Sequence, residues 1–417
     1  MTSRILFSHP TGNANVRAAL VGLLESEMLG QFHTTVASYP GNLWGLMGAS
    51  QWGREFRRRK FDGRLKSLTV QHPLRELGRM MATRLKIQGL VRHGTGPLCI
   101  DAVYQALDRS TARCLRKTPQ AFTGVYAYED GALETLTAAN ERGLSAIYDL
   151  PIGYWRAARN LLGGEFDRMP EWANTLTGFK DSAEKLDRKD AELAKATKIV
   201  VASTFTACTL KEYSGNLAPH IVLPYGFPDI SEVSNDSARG PVTGVNPLRL
   251  LFVGGLSQRK GIADLFNAVN ILKNAVSLTV IGNKVTADCP ALDRELAKYR
   301  WIPSLPHDRI LAEMRVHDVL VFPSLFEGFG LVITEAMSQG LPVITTERTA
   351  GPDLINHGEN GWLIKAGSAE ELVQQLEKLI EHPAAVRAAG ILARRTAAAR
   401  PWSVYGHELA QAIKNPA

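Results

Sequence analysis

Short apolar runs alternate with longer amphipathic segments along most of the chain, the pattern of βα units that build a parallel sheet. In the first half RILFS, TTVASY, AIYDL and KIVVAS read as strands. Between Asp181 and Ala196, DSAEKLDRKDAELAKA is rich in helix formers and charged pairs and leads into IVVAS, a helix followed by a strand. The stretch from Pro228 to Pro247 lacks apolar periodicity and is full of Ser, Asn, Asp, Gly and Pro, so it reads as a linker. Beyond it the rhythm restarts. LRLLFVGG, SLTVIG, DVLVFPS and PVITT read as strands; GIADLFNAVNILKN, ILAEMRVH, a segment from Gly330 to Gln339 and SAEELVQQLEKLIEH read as helices. The runs LLFVG, LTVIG and VLVFP are apolar almost throughout, as strands covered by helices on both faces are. The expectation is an α/β chain of two doubly wound halves. Ligands in such sheets bind beyond the carboxyl ends of the strands, so the loops after those three runs are where chemistry is expected.

A length of 417 residues suits two domains, and 45% apolar with 21% charged residues is an ordinary globular mix. The apolar run near the N-terminus is too short for a signal peptide, and no later run reaches the ~18 apolar residues of a membrane span, so a cytoplasmic location is expected. Cys99, Cys114, Cys208 and Cys289 stand far apart, which favours buried free thiols over a disulfide framework or a zinc site. The formal charge of +7 suits an anionic partner. Seven of the basic residues, Arg54, Arg57, Arg58, Arg59, Lys60, Arg64 and Lys66, fall in one segment against Glu55 and Asp62. That segment reads as a solvated face or, with Trp52, Phe56 and Phe61 interleaved, as a site for anionic lipid headgroups at the inner membrane face. No nucleic-acid motif accompanies it, and nucleic acid is not expected as a partner.

The chemistry concentrates in FEGFGLVITEAMSQGLPVITT, Phe326 to Thr346. Gly328 and Gly330 bracket Phe329 in a loop, so Glu327 is expected in the loop and Glu335 in the second turn of a helix that Gly340 ends. A helix N-terminus suits phosphate, and a carboxylate suits a vicinal diol such as a ribose; a sugar nucleotide offers both. Taken alone, Glu327 could equally cap a turn and Glu335 face solvent. FVGGLSQRKG, Phe252 to Gly261, sets Arg259 and Lys260 at the same sheet edge, where two cations suit a diphosphate leaving group. In the first half FSHPTGNANVR follows strand one, and Gly12 would allow close backbone approach.

With FVGGLSQRKG, VLVFPSLFEGFGLVITEAMSQGLPVITT, AGPDLINHGENGWLI, KIVVASTF and VLPYGFP in place, the chain resembles the retaining glycosyltransferases of the GT4 family, which have the GT-B architecture. The resemblance implies two Rossmann-like domains facing a central cleft. Residues 1–228 would form the acceptor side, 229–247 the linker and 248–400 the nucleotide-sugar domain, with a closing helix in 401–417 crossing back. It implies that Glu335 holds the donor ribose and that Glu327 lies by the transferred sugar. The backbone of Gly328, Phe329, Gly330 and Leu331 would contact sugar and phosphate, and Lys260 the diphosphate. Gly12 would face the donor, and Asp149, after AIYD, would stand beside the reacting carbon, with Glu129 and Asp130 as a rival acid cluster. Two positions depart from the family: Gly255 where Arg is common, with Arg259 a possible substitute, and Asp353 where many relatives have Glu. The implied reaction moves a hexose from a nucleoside diphosphate sugar to an acceptor, with no cofactor and no bound metal. A sugar-nucleotide epimerase, a phosphorylase and a non-catalytic sugar-nucleotide-binding or membrane-associated subunit are the alternatives.

Overall fold

The computed structural model describes residues 4–49, 53–118, 122–230 and 246–414, so Trp52 and most of the Pro228–Pro247 stretch lie outside the described residues. The first half holds seven strands: β1 Ile5–Ser8, β2 Leu29–Thr34, β3 Thr69–Gln71, β4 Gly124–Tyr128, β5 Ser145–Leu150, β6 Lys198–Val201 and β7 His220–Val222. They form one parallel sheet in the order β3-β2-β1-β4-β5-β6-β7. The second half holds β8 Leu248–Val253, β9 Val276–Ile281, β10 Arg300–Ile302, β11 Val319–Phe322, β12 Val343–Thr346 and β13 Gly361–Ile364. Their parallel order is β10-β9-β8-β11-β12-β13. In each sheet the order reverses beside the first strand, at β1/β4 and at β8/β11, which is where open α/β sheets form a ligand crevice.

One strand is displaced from its expected place. TTVASY begins where β2 ends, and its start folds over the sheet edge: the hydroxyls of Thr34 and Thr35 both donate to the Pro10 carbonyl, at 3.3 and 2.6 Å. The strand itself is LGQFHT, whose polar His33 is fully buried and bonded to Gln31 and His72, so its burial does not show as an apolar run. The basic segment also differs from expectation. Its aromatics Phe56 and Phe61 point into the core, and the Phe61 ring fills the space beside Gly12, where an added Cβ would lie 2.5 Å away. Of the cations in that segment whose burial is described, Arg57, Arg58, Lys60, Arg64 and Lys66 are exposed and Arg59 is buried. All four cysteines are free; Cys99 and Cys289 are buried, but Cys208 is exposed.

The helix Trp402–Lys414 leaves the second half and packs on the first-half helix Ala14–Glu25, so closely that a Cβ on Gly22 would meet the Gly406 carbonyl at 2.1 Å. A second crossing runs the other way. Residues Glu165–Arg168 and Pro170–Thr175, from the first half of the sequence, dock on the second sheet's first helix, Ile262–Leu272, with Trp172 against Phe266 at 5.9 Å. Among the described residues, no helix is long and apolar enough to cross a membrane.

Candidate active site

The loops after β8 and β11 meet at one sheet edge and bring Arg259, Lys260 and Glu327 together. Gly261 takes φ +68° directly beneath the Pro323 carbonyl, which would lie 2.0 Å from any Cβ there, so a residue with a side chain does not fit. The two loops are thereby held in contact. Arg259 Nη1 donates to Glu327 Oε2 at 3.1 Å and to the Phe326 carbonyl at 2.8 Å, and Lys260 Nζ donates to the same Glu327 oxygen. Lys260 also stands 4.7 Å above the Phe322 ring. Burial draws the Arg259 guanidinium down to about 10; burial and then the adjacent Arg259 push the Lys260 ammonium well below its usual range. One carboxylate serves both cations, so an arriving anion would favour the charged form of each.

Glu335 lies further along, in the helix Leu331–Ser338, whose N-terminal residue Gly330 at φ +87° offers no capping side chain. Its carboxyl is pushed up to about 7 by burial alone. Among the described residues no hydrogen bond satisfies it, and the His307 ring stands beside it, with Nδ1 3.7 Å from Oε1. A largely buried acid without donors is costly unless something supplies them.

The turn at 328–330 serves the contact between halves as well as any ligand. A Cβ on Gly328 would lie 2.1 Å from the Pro151 carbonyl, and the Gly328 carbonyl accepts from Ser203 Oγ at 2.5 Å and Thr206 Oγ1 at 2.9 Å. Phe329 is buried, with its ring 4.8 Å from that of Tyr225. Asp353 accepts from the Thr204 backbone N–H at 3.0 Å, so it too joins the halves.

Asp149 and Gly12 stand apart from this cluster, on the first sheet. Asp149, at the end of β5, is 2% exposed and accepts from the Tyr126 hydroxyl, and burial raises its carboxyl to about 7. Tyr128, Tyr225 and Tyr405 complete a wall of buried rings around it. Of the rival acids, Glu129 is buried against Lys189 at 3.0 Å and Asp130 shares that lysine at 3.4 Å, an ion-pair cluster closed to the cleft loops.

The sequence reading missed the support of the cationic loop. Gln258, fully buried, donates from Nε2 to Glu165 and Asp264 at 2.8 and 3.0 Å, and its backbone N–H donates to Thr175 Oγ1 at 2.9 Å. Arg168 bridges Glu165 and Asp264, each at 2.6 Å. Nothing in the spacing of Glu165, Arg168 and Gln258 signals that they meet. The tyrosine wall had a partial signal, since Tyr225 lies in VLPYGFP and Tyr405 in the closing helix.

Residues 238–396 match the family model described as glycosyl transferases group 1. The amylovoran biosynthesis glycosyltransferase AmsK of Erwinia amylovora is 31% identical over 153 residues, which are 34% of this chain and 38% of that protein. The likeness in sequence therefore spans well under half of either. In fold it spans both halves: the sucrose-phosphate synthase of Thermosynechococcus elongatus superposes with a TM-score of 0.66 at 14% identity, covering 99% of this chain and 98% of that one. Anabaena HepE, solved in complex with UDP, superposes at 0.61 with 14% identity and 99% of each chain covered. The chain thus has the GT-B fold of two parallel-sheet domains, and within it residues 238–396 resemble the glycosyl transferases group 1.

Proposed function

We propose that this protein is a retaining glycosyltransferase that moves a hexose from a nucleoside diphosphate sugar to an acceptor. The observation that carries the proposal is the pairing of a cationic loop, Arg259 and Lys260 on Glu327, with a mostly buried acid, Glu335, that has no hydrogen-bond donor among the described residues. A ribose diol supplies two donors to Glu335, and a diphosphate supplies the anion that the two cations share too thinly. Solved structures of HepE with UDP and with UDP-glucose show the fold holding such a donor in that protein.

In this reading the anomeric C–O bond to the diphosphate breaks as the acceptor oxygen bonds to the same face of the sugar. The acceptor proton passes to the departing phosphate oxygen. Charge grows on the diphosphate as the bond breaks, and Lys260, Arg259 and the N-terminus of Leu331–Ser338 are placed to stabilise it. Glu327 holds both cations in place and offers its carboxylate to the sugar hydroxyls. The backbone of Gly328, Phe329, Gly330 and Leu331 lines the sugar and phosphates. Asp149 is shut inside its tyrosine wall, so we assign it a positioning role beneath the Gly328 contact in place of the catalytic role that the resemblance implies. Gly12, packed on Phe61, shapes the loop after β1. The acceptor binds chiefly to the first domain, and the test requires no added cofactor.

Calorimetric titration with UDP, GDP, ADP and their hexose conjugates tests the proposal. One nucleotide is expected to bind wild type and to bind Glu335→Ala at least tenfold more weakly. Equal binding to both proteins overturns the role of Glu335. Gly255 favours one second reading, a subunit that binds the donor without transfer, because the side chain common there in the family is missing. Binding without hydrolysis or transfer of the sugar in any acceptor screen would support it.

A further inference from the structure

The helix Leu74–Arg84 and the chain after it carry an apolar stripe turned outward. Leu74, Met81 and Leu85 stand at i, i+7 and i+11, within roughly 20° of one line down the helix. They are 84%, 63% and 65% exposed, and Ile87 follows at 45%, so this stripe is not the core face. Glu76, about 200° round the helix from Leu74, is 2% exposed, and Ala82, about 80° round, is 3% exposed. From Leu74 to Leu98 the cations are Arg75, Arg79, Arg84, Lys86 and Arg92, and the one acid is Glu76. Glu76 is neutralised in the interior, where it pairs with Arg79 at 2.6 Å and with Arg59. Arg59 belongs to the other basic segment, so this buried pair ties that segment to the inner side of the helix. The outer side presents an exposed line of Leu, Met, Leu and Ile with the exposed Arg75, Arg84, Lys86 and Arg92 on the same stretch of chain.

We propose that this surface docks on an anionic lipid bilayer, with Leu74, Met81, Leu85 and Ile87 entering the headgroup boundary and the flanking cations on lipid phosphates. An apolar stripe bordered by Lys and Arg, on a helix of modest overall hydrophobicity, is the physical description of an interfacial helix. A second copy of the chain is a poor occupant, since a two-fold contact would press the same cations against each other. The helix enters from β3, next to β2, whose leading loop touches the loop after β1 at the cleft edge. A protein docked here holds the first domain's cleft edge near the membrane, where a lipid-linked acceptor would be presented. The docking surface stands whether or not the donor reading does.

The test uses the full chain and two sets of vesicles, phosphatidylglycerol mixed with phosphatidylcholine and phosphatidylcholine alone. Co-sedimentation is measured for wild type, for Met81→Glu with Leu85→Glu, and for Arg84→Glu with Lys86→Glu. Wild type is expected on the anionic vesicles alone, less so as salt rises, and both double variants are expected to bind at least roughly tenfold more weakly. Thermal midpoints and UDP-glucose affinity of the variants should match wild type, because the altered side chains face solvent. Absence of wild type from anionic vesicles, or equal binding by the Met81/Leu85 variant, overturns the proposal. So does self-association without lipid that the same variant abolishes, which would assign the stripe to a protein contact.

Discussion

Each half carries a mostly buried acid on the carboxyl side of its sheet, Asp149 at the end of β5 and Glu335 in the helix after β11, and the two are treated in opposite ways. Asp149 is enclosed by Tyr126 and its neighbouring rings, while Glu335 is mostly buried with no hydrogen-bond donor among the described residues. Burial brings both carboxyls to about 7, so the common shift conceals different situations. One acid already has its hydrogen bond. The other waits for one. A raised carboxyl therefore marks a ligand position only when its partners are counted as well.

The largest effect that tests this contrast is expected at the cationic loop. Lys260→Ala should lower kcat by about 10²–10³-fold in a transfer assay, with a smaller change in KM, because its charge is used most as the diphosphate departs. A matching loss for Asp149→Asn would erase the contrast between the halves.

For Asp149 the expected signature is stability. Its carboxyl rises from 3.8 to about 7 on folding, so the fold favours the protonated form. That contribution is complete below about pH 4 and is lost as pH rises through about 7, a change of up to roughly 3–4 kcal/mol. Urea unfolding of wild type and Asp149→Asn should show wild type losing stability relative to the variant between about pH 4 and pH 8. A constant difference would mean that Asp149 stays ionised inside the tyrosine wall.

For Glu335 the expected signature is binding. If the ionised carboxylate receives the ribose hydroxyls, affinity for the nucleotide sugar that binds should rise by roughly tenfold from about pH 6 to pH 8, following the ionised fraction of a group near 7. Glu335→Gln should flatten the profile.

The smallest effect belongs to Gly255. A Cβ there meets only Val285 Cγ1, at an ordinary 3.5 Å, so Gly255→Arg should fold normally. Arg259 already reaches Glu327, so the added arginine is expected to raise donor affinity by less than about tenfold. A larger gain in calorimetry would show that the site lacks a needed charge.

The second sheet was legible because β8, β9 and β11 are apolar runs and Glu327, Glu335 and Lys260 sit at fixed offsets from them. The first sheet was harder to read because its strands hide polar residues: His33 in β2 is buried through hydrogen bonds, and β3 and β7 are three residues each. The glycines of FEGFG were legible as a turn, but not as the place where Pro151 enters, since that contact joins residues 177 positions apart in the chain, from 151 to 328. The same holds for Arg168 and Gln258, which meet only through tertiary folding.

The most direct measurement is the proton balance at pH 7 of binding the nucleotide sugar that the titration selects, obtained by calorimetry in buffers of different ionisation enthalpy for wild type and Glu335→Gln. If the ribose hydroxyls donate to Glu335, its carboxyl falls from about 7 on binding, and wild type releases about half a proton more than the variant. Identical proton balances with equal affinities would contradict the assignment of the buried, donor-free acid to the nucleotide.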